Sequence, residues 1–191
     1  MKPTLILASA SPRRAELLEQ IGVCFQVHAV DIDETPRTDE SPLAYVQRLA
    51  AEKSAACAVQ HGLAIPILAA DTSVVLGSTI LGKPQDQADA VSMLRLLSGK
   101  THQVFTALSL RGRTHDEAVS ITEVTFKSLS EQEIHAYWQS GEPLDKAGAY
   151  AIQGQGGLFV RTINGSFSGV VGLPLFETGQ LLAQQGIDIL K

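Results

Sequence analysis

A chain of 191 residues, 45% of them hydrophobic, is long enough to bury a real core, and no Pro/Gly/Ser-rich or charged linker divides it, so one domain over residues 1–191 is expected. A formal net charge of −5 argues against general nucleic-acid binding, which calls for a basic excess on one face. Two cysteines, Cys24 and Cys57, are too few for a disulfide framework and lack metal-site spacing; with no apolar run approaching a membrane span and too short a one in "MKPTLILASASPRR" for a signal peptide, the expectation is a cytoplasmic protein with two reduced core thiols.

In chain order, "TLILA" reads as a buried strand, Ser11 as an N-cap, Pro12 as the first helical position and Gly22 as the αL residue after the helix. Arg14 stands where a capping box would place Glu or Gln, and Arg13 adds a second cation. Helix starts ordinarily attract acids, because the free N–H groups of the first turn carry partial positive charge. Backbone donors, the hydroxyls of Ser9 and Ser11 and two guanidiniums on one turn make an anion site, phosphate above all. The alternative is that both arginines face solvent or pair with distant carboxylates.

"CFQVHAV" reads as a strand leading to the acidic cluster "DIDE", Asp31 to Glu34. Ser41 and Pro42 open a helix to about His61, closed by Gly62. Lys53 falls on its apolar stripe with Val46, Leu49, Ala50, Ala56 and Cys57, so its ammonium either snorkels to the margin or faces a cleft. "IPILAADTSVVLG" is an apolar strand interrupted by Asp71, and a carboxylate there costs several kcal/mol unless a cation, hydrogen bonds or water compensate it. That placement points to a metal ligand or a general base.

A hairpin-like turn follows and sets Lys83 before Pro84, which biases it to extended geometry. Asp86 caps a helix ending at Ser98-Gly99; "SGKT" there lacks the upstream glycine of a phosphate-binding loop, because Leu94 holds its place. Gln103–Leu110 and Val119–Phe126 flank "RGRTHD" as an antiparallel hairpin, and Ser130 with Glu133 forms a capping box for a helix ending at Gly141. The following segment is rich in glycine, which suits either close approach to a ligand or tight packing, and a last helix runs from Pro174 to Gln185. The five histidines are expected at surface or half-buried positions.

"ASASPRRAELL", "DIDE", "AAEKS", "AADTSVVLGSTILGKP", "SGKTHQVFTAL", "DKAGAYAIQG" and "INGSFSGVVGLPL" resemble, in this order, the successive motifs of the Maf family of nucleoside triphosphate pyrophosphatases. The resemblance implies an α/β fold, an extended mixed β-sheet with flanking helices and two lobes around a cleft, akin to the inosine triphosphate pyrophosphatases. "DKAGAYAIQG" is similar to the branch hydrolysing dTTP and UTP. On that resemblance Asp71 is the proton acceptor, Arg13, Thr72 and Gln153 select the base, and Ser9, Arg14, Lys53 and Lys83 hold phosphates. Glu34 would assist Asp71 with a divalent metal, Mg²⁺ or Mn²⁺, and a homodimer is implied as well. An enzyme for 7-methyl-GTP or modified nucleotides, and a nucleotide-binding regulator of septum formation, are the competing readings.

Overall fold

Short apolar runs and amphipathic helices alternate along the chain, and in the computed structural model, which describes residues 2–190, they assemble into one mixed seven-stranded sheet. The strands are β1 (Leu5–Leu7), β2 (Phe25–Val27), β3 (Ile67–Leu76), β4 (Thr79–Leu81), β5 (Thr101–Arg111), β6 (His115–Phe126) and β7 (Val160–Asn164). Their order is β2-β1-β3-β5-β6-β7, with β4 beside the far end of β3; β1 runs parallel to β2 and β3, and every other pairing is antiparallel. The helices are α1 (Pro12–Gln20), α2 (Pro42–His61), α3 (Gln87–Leu97), α4 (Glu131–Gln139), α5 (Phe167–Val171) and α6 (Leu175–Gln184).

Helix limits follow local chemistry. Ser41 accepts the Ala44 N–H at 3.2 Å, Asp86 accepts that of Asp89 at 2.8 Å, and the Ser130–Glu133 capping box forms. Gly22, Gly62 and Gly99 follow their helices at φ 74°, 69° and 68°, a region open to glycine. At α1 the structure departs from expectation. Ser11 occupies the N-cap position, yet its hydroxyl makes no cap bond, and its own N–H donates to Ser9 Oγ at 3.2 Å.

Alternation along β3 sorts the core onto two faces. Leu68, Ala70 and Val74 join Leu5, Leu7, Leu18, Leu94 and Leu182 in the main core against α1, α3 and α6. Ile67 and Ala69 pack with Ile6 and Cys57, while Val75 packs with Val46, Ala50 and Phe105, so α2 covers the other face through two separate small clusters. Asp71 lies between those clusters on the α2 face.

β1 pairs with β3 only at Ile67 and Leu68, and β4 only from Val74 onward. Residues 69–73 therefore carry no strand partner on that side, although β5 pairs them on the other. The sheet splits there beyond the carboxyl end of a parallel strand, the usual place for a ligand crevice in an α/β sheet.

Several expectations need correction. His102 is only 2% exposed, because β5 points it between Phe126 and Tyr150. Cys24 is half-buried just before β2, and only Cys57 is a core thiol. The glycine-rich segment also holds β7, α5 and two 3₁₀ turns (Ala147–Ala149 and Gln155–Phe159), none of them legible as periodic apolar patterns.

Candidate active site

A cleft of about 740 Å³ opens at the split in the sheet, between the start of α1, the middle of β3, Lys53 of α2, the segment after β4 and residues 145–153. Every residue singled out in the sequence lies on its wall: Ser9, Arg13, Arg14, Glu34, Lys53, Asp71, Thr72, Lys83 and Gln153. Distant stretches of sequence thus supply one concave surface.

Its floor is ionic. Lys53 Nζ lies 2.7 Å from Asp71 Oδ1 and 2.6 Å from Glu34 Oε1, so α2 aims its ammonium into the cleft. Asp71 is 7% exposed on an apolar strand, and Lys53 compensates its charge. Burial pushes the Glu34 carboxyl up, but the hydrogen bond and charge of Lys53, helped by Lys83 and Arg14, outweigh it and hold it below its ordinary value. Tyr45 donates to the Glu34 carbonyl at 2.8 Å; burial and the charges of Asp71 and Glu34 push its phenol up to about 12.

Arg14 is half-buried and tied on three sides. Its Nε donates to Gly172 O at 2.8 Å, one terminal nitrogen to Ser9 Oγ at 3.0 Å and the other to Thr72 Oγ1 at 3.2 Å. Thr72 bonds Thr106 at 3.0 Å, and Thr106 donates to Gly169 O at 2.8 Å. Arg14 therefore braces α1, β3 and the end of α5, with two N–H groups left over. Desolvation lowers its pKa, opposed by the charge of Asp71.

The side chains of Arg13, Lys83 and Gln153 differ: none makes a hydrogen bond or ion pair with another described residue. Burial lowers the Arg13 pKa against the raising effect of Glu16 and Asp145. Lys146, which sequence reasoning did not single out, lines the same wall and donates to Leu144 O at 3.0 Å. Burial lowers its pKa, and Arg13 and Lys83 push it the same way. No local pattern marks it: Asp145 before it and Gly148 after it take positive φ, so the bent backbone that presents Lys146 is visible only in the structure. Five cations (Arg13, Arg14, Lys53, Lys83, Lys146) face three carboxylates (Glu34, Asp71, Asp145) in a chain of net charge −5.

Such an excess suits a polyanion, and the carboxylates suit a hard cation. Glu34 and Asp71 reach one shared point, where Lys53 Nζ sits between them. Among the described residues no group of three His, Cys, Asp or Glu side chains could hold a metal. Mg²⁺ or Mn²⁺ could use these two oxygen donors once the Lys53 ammonium swings out from between them and phosphate oxygens and water complete the shell.

The chain is similar over nearly its whole length to known proteins. Residues 4–185 match the family described as Maf-like protein. The chain is 55% identical over 185 residues to a dTTP/UTP pyrophosphatase of Myxococcus xanthus, covering 97% of this chain and 94% of that protein. It is also 55% identical over 181 residues to a dTTP/UTP pyrophosphatase of Salmonella typhimurium, covering 94% and 92%. Among solved structures, the Staphylococcus aureus Ham1 protein is similar in fold, with a TM-score of 0.50 at 15% identity over 81% of this chain and 90% of that one.

Proposed function

The chain belongs to the Maf-like family, and from that premise we propose that it hydrolyses dTTP and UTP to the nucleoside monophosphate and pyrophosphate. One observation carries the reading: a buried carboxylate, Asp71, is held by Lys53 beside Glu34 under an uncapped helix start bearing Arg13 and Arg14.

Asp71 is the proton acceptor. Water attacks the α-phosphorus, the bond to the β-phosphate oxygen breaks, the water proton passes to Asp71 Oδ and pyrophosphate leaves. A divalent cation held by Glu34 and Asp71 would neutralise phosphate charge as a Lewis acid. Lys53, Lys83 and Arg14 oppose the charge that grows on the leaving group, and Ser9 with the first-turn amides of α1 orients the triphosphate. Excluding bulk water strengthens each of these interactions. Arg13, Thr72 and Gln153 select the base, and the Gln153 amide offers a donor and an acceptor to the N3–H and O4 edge of uracil or thymine.

Pyrophosphate release from dTTP, UTP, CTP, GTP and 7-methyl-GTP, with Mg²⁺ or Mn²⁺ and with a chelator, tests the reading. Metal-dependent release led by dTTP and UTP is expected; release led by a purine would overturn the base assignment. Asp71→Asn should lose roughly 10²–10⁴-fold in kcat while still binding UTP by calorimetry. Near wild-type turnover would remove Asp71 from the chemistry. A homodimer belongs to the same reading and is tested by light scattering. Among the described residues no helix is long and apolar enough to cross a membrane, and a cytoplasmic location is part of the proposal.

A further inference from the structure

Gln153 lines the cleft and its side chain has no partner among the described residues, so its position depends on the backbone around it. That backbone is gripped from outside the cleft. Glu142, just after α4, accepts the Gln155 N–H on Oε2 at 2.9 Å and the Gly156 N–H on Oε1 at 2.9 Å. Tyr137, on α4 and 3% exposed, donates to Glu142 Oε1 at 2.7 Å and accepts the Ala151 N–H at 3.0 Å. The bonded amides lie on both sides of Gln153.

Two glycines record how close the grip is. A Cβ on Gly154 would stand 2.3 Å from Glu142 Oε2, and one on Gly156 would stand 2.6 Å from Tyr137 Oη and 2.7 Å from Ala151 O. Those glycines are where they are because carboxylate and phenol reach the backbone itself. Burial pushes the Glu142 carboxyl up, but the Gly156 and Gln155 amides and the Tyr137 hydroxyl outweigh it and keep it below its ordinary value. The Tyr137 ring is fixed in turn by an edge contact to Phe159, with centroids 4.9 Å apart.

We propose that Glu142 and Tyr137 are positioning residues for base recognition, clamping residues 151–156 so that Gln153 holds one orientation toward the nucleobase. The inference rests on the reading of Gln153 as a base-selecting residue. Neither clamp residue lines the cleft, and Asp71, Lys53 and Glu34 stand on other elements. Loosening the clamp should therefore weaken and blur base binding and leave the chemical step nearly intact. Glu142→Gln replaces one carboxylate oxygen with an amide that faces a backbone N–H, donor against donor.

The test compares wild type, Gln153→Ala, Glu142→Gln and Tyr137→Phe by kcat and KM for UTP and CTP, with amide exchange of residues 150–157 and thermal melts. Glu142→Gln should raise the KM for UTP by ~10-fold, narrow the preference for UTP over CTP as Gln153→Ala does, and change kcat by less than about 3-fold. The Gln155 and Gly156 amides should exchange faster. Tyr137→Phe keeps the ring packing and should show the same pattern more weakly. If Gln153→Ala loses the preference while both clamp variants keep it, the clamp proposal fails and the Gln153 reading stands. If Gln153→Ala keeps the preference, the reading itself falls and the clamp loses its purpose. An equal drop in kcat for both substrates with the preference retained would make the clamp merely structural and overturn the proposal.

Discussion

Arg14 and His102 show how much burial alters what a side chain does. Arg14 spends three N–H groups on Gly172, Ser9 and Thr72, so the pair of arginines at α1 divides into a brace and a cation, Arg13, whose side chain has no hydrogen-bond or ion-pair partner among the described residues. His102 is enclosed with its Nε2 2.8 Å from Tyr150 Oη and its Nδ1 without a partner. Desolvation pushes its pKa down to about 4. Above the ordinary value near 6.5 both folded and unfolded chains hold a neutral ring, so this residue adds no pH dependence there. Between about 6.5 and 4 the unfolded chain takes up a proton that the folded chain refuses, and stability falls with pH by up to about 3 kcal/mol. Melting temperatures measured from pH 8 to pH 4 should fall across that window, and His102→Phe should flatten the fall.

Elements differ in how firmly they hold the site. Asp71 and Thr72 sit in β3, fixed by continuous pairing to β5. Glu34 lies instead in the irregular stretch between β2 and α2, which hangs on α2 side chains. Tyr45 holds the Glu34 carbonyl, and Arg48 reaches Glu40 at 2.6 and 2.7 Å, Glu52 at 3.2 Å and Thr35 O at 3.2 Å. The Arg48 and Glu40 side chains pack against each other at the surface, with two hydrogen bonds between guanidinium and carboxylate. Arg48→Met should leave the Glu40 carboxylate with only the Arg37 N–H as a partner among the described residues and loosen the stretch. Faster amide exchange over residues 31–40 with α2 unchanged would show it; unchanged exchange would mean that the stretch is held by other contacts.

Across the whole molecule the charge is divided against itself. A chain of net charge −5 turns five cations and three carboxylates into one cleft, so the protein as a whole repels a triphosphate that its cleft attracts. At physiological salt the Debye length is about 8 Å, so the long-range repulsion is screened more strongly than contacts inside the cleft. Lys83 is exposed and Arg13 half-buried, both without a side-chain partner among the described residues, while Lys53 and Arg14 are already engaged by protein groups. The KM for UTP should therefore rise with added KCl through weakened contacts to Arg13 and Lys83, with much less change in kcat. Steady-state kinetics between 50 and 500 mM salt, set against Arg13→Ala, would separate the two: the variant should have a higher KM and a shallower salt dependence, each following from ~10 Å screening at 0.1 M.

Much of this was written in local sequence. The limits of α2, α3 and α4 follow from Ser41, Asp86 and the Ser130–Glu133 box, because a cap is satisfied by residues three positions away. The oddity of Asp71 in an apolar strand and of Arg14 at a helix start was visible for the same reason: a charge out of place is a local fact. Partnership was not local. That Lys53 would meet both Glu34 and Asp71, that Arg14 would bind a carbonyl 158 residues away, and that Glu142 would seize the backbone around Gln153 all depend on which elements the sheet brings together. Local sequence marked the limits of α2, α3 and α4 and the inventory of charged groups, but not the elements of the glycine-rich segment or the open start of α1; which charges neutralise one another and which remain for a ligand was settled by strand order and packing between segments far apart in the chain.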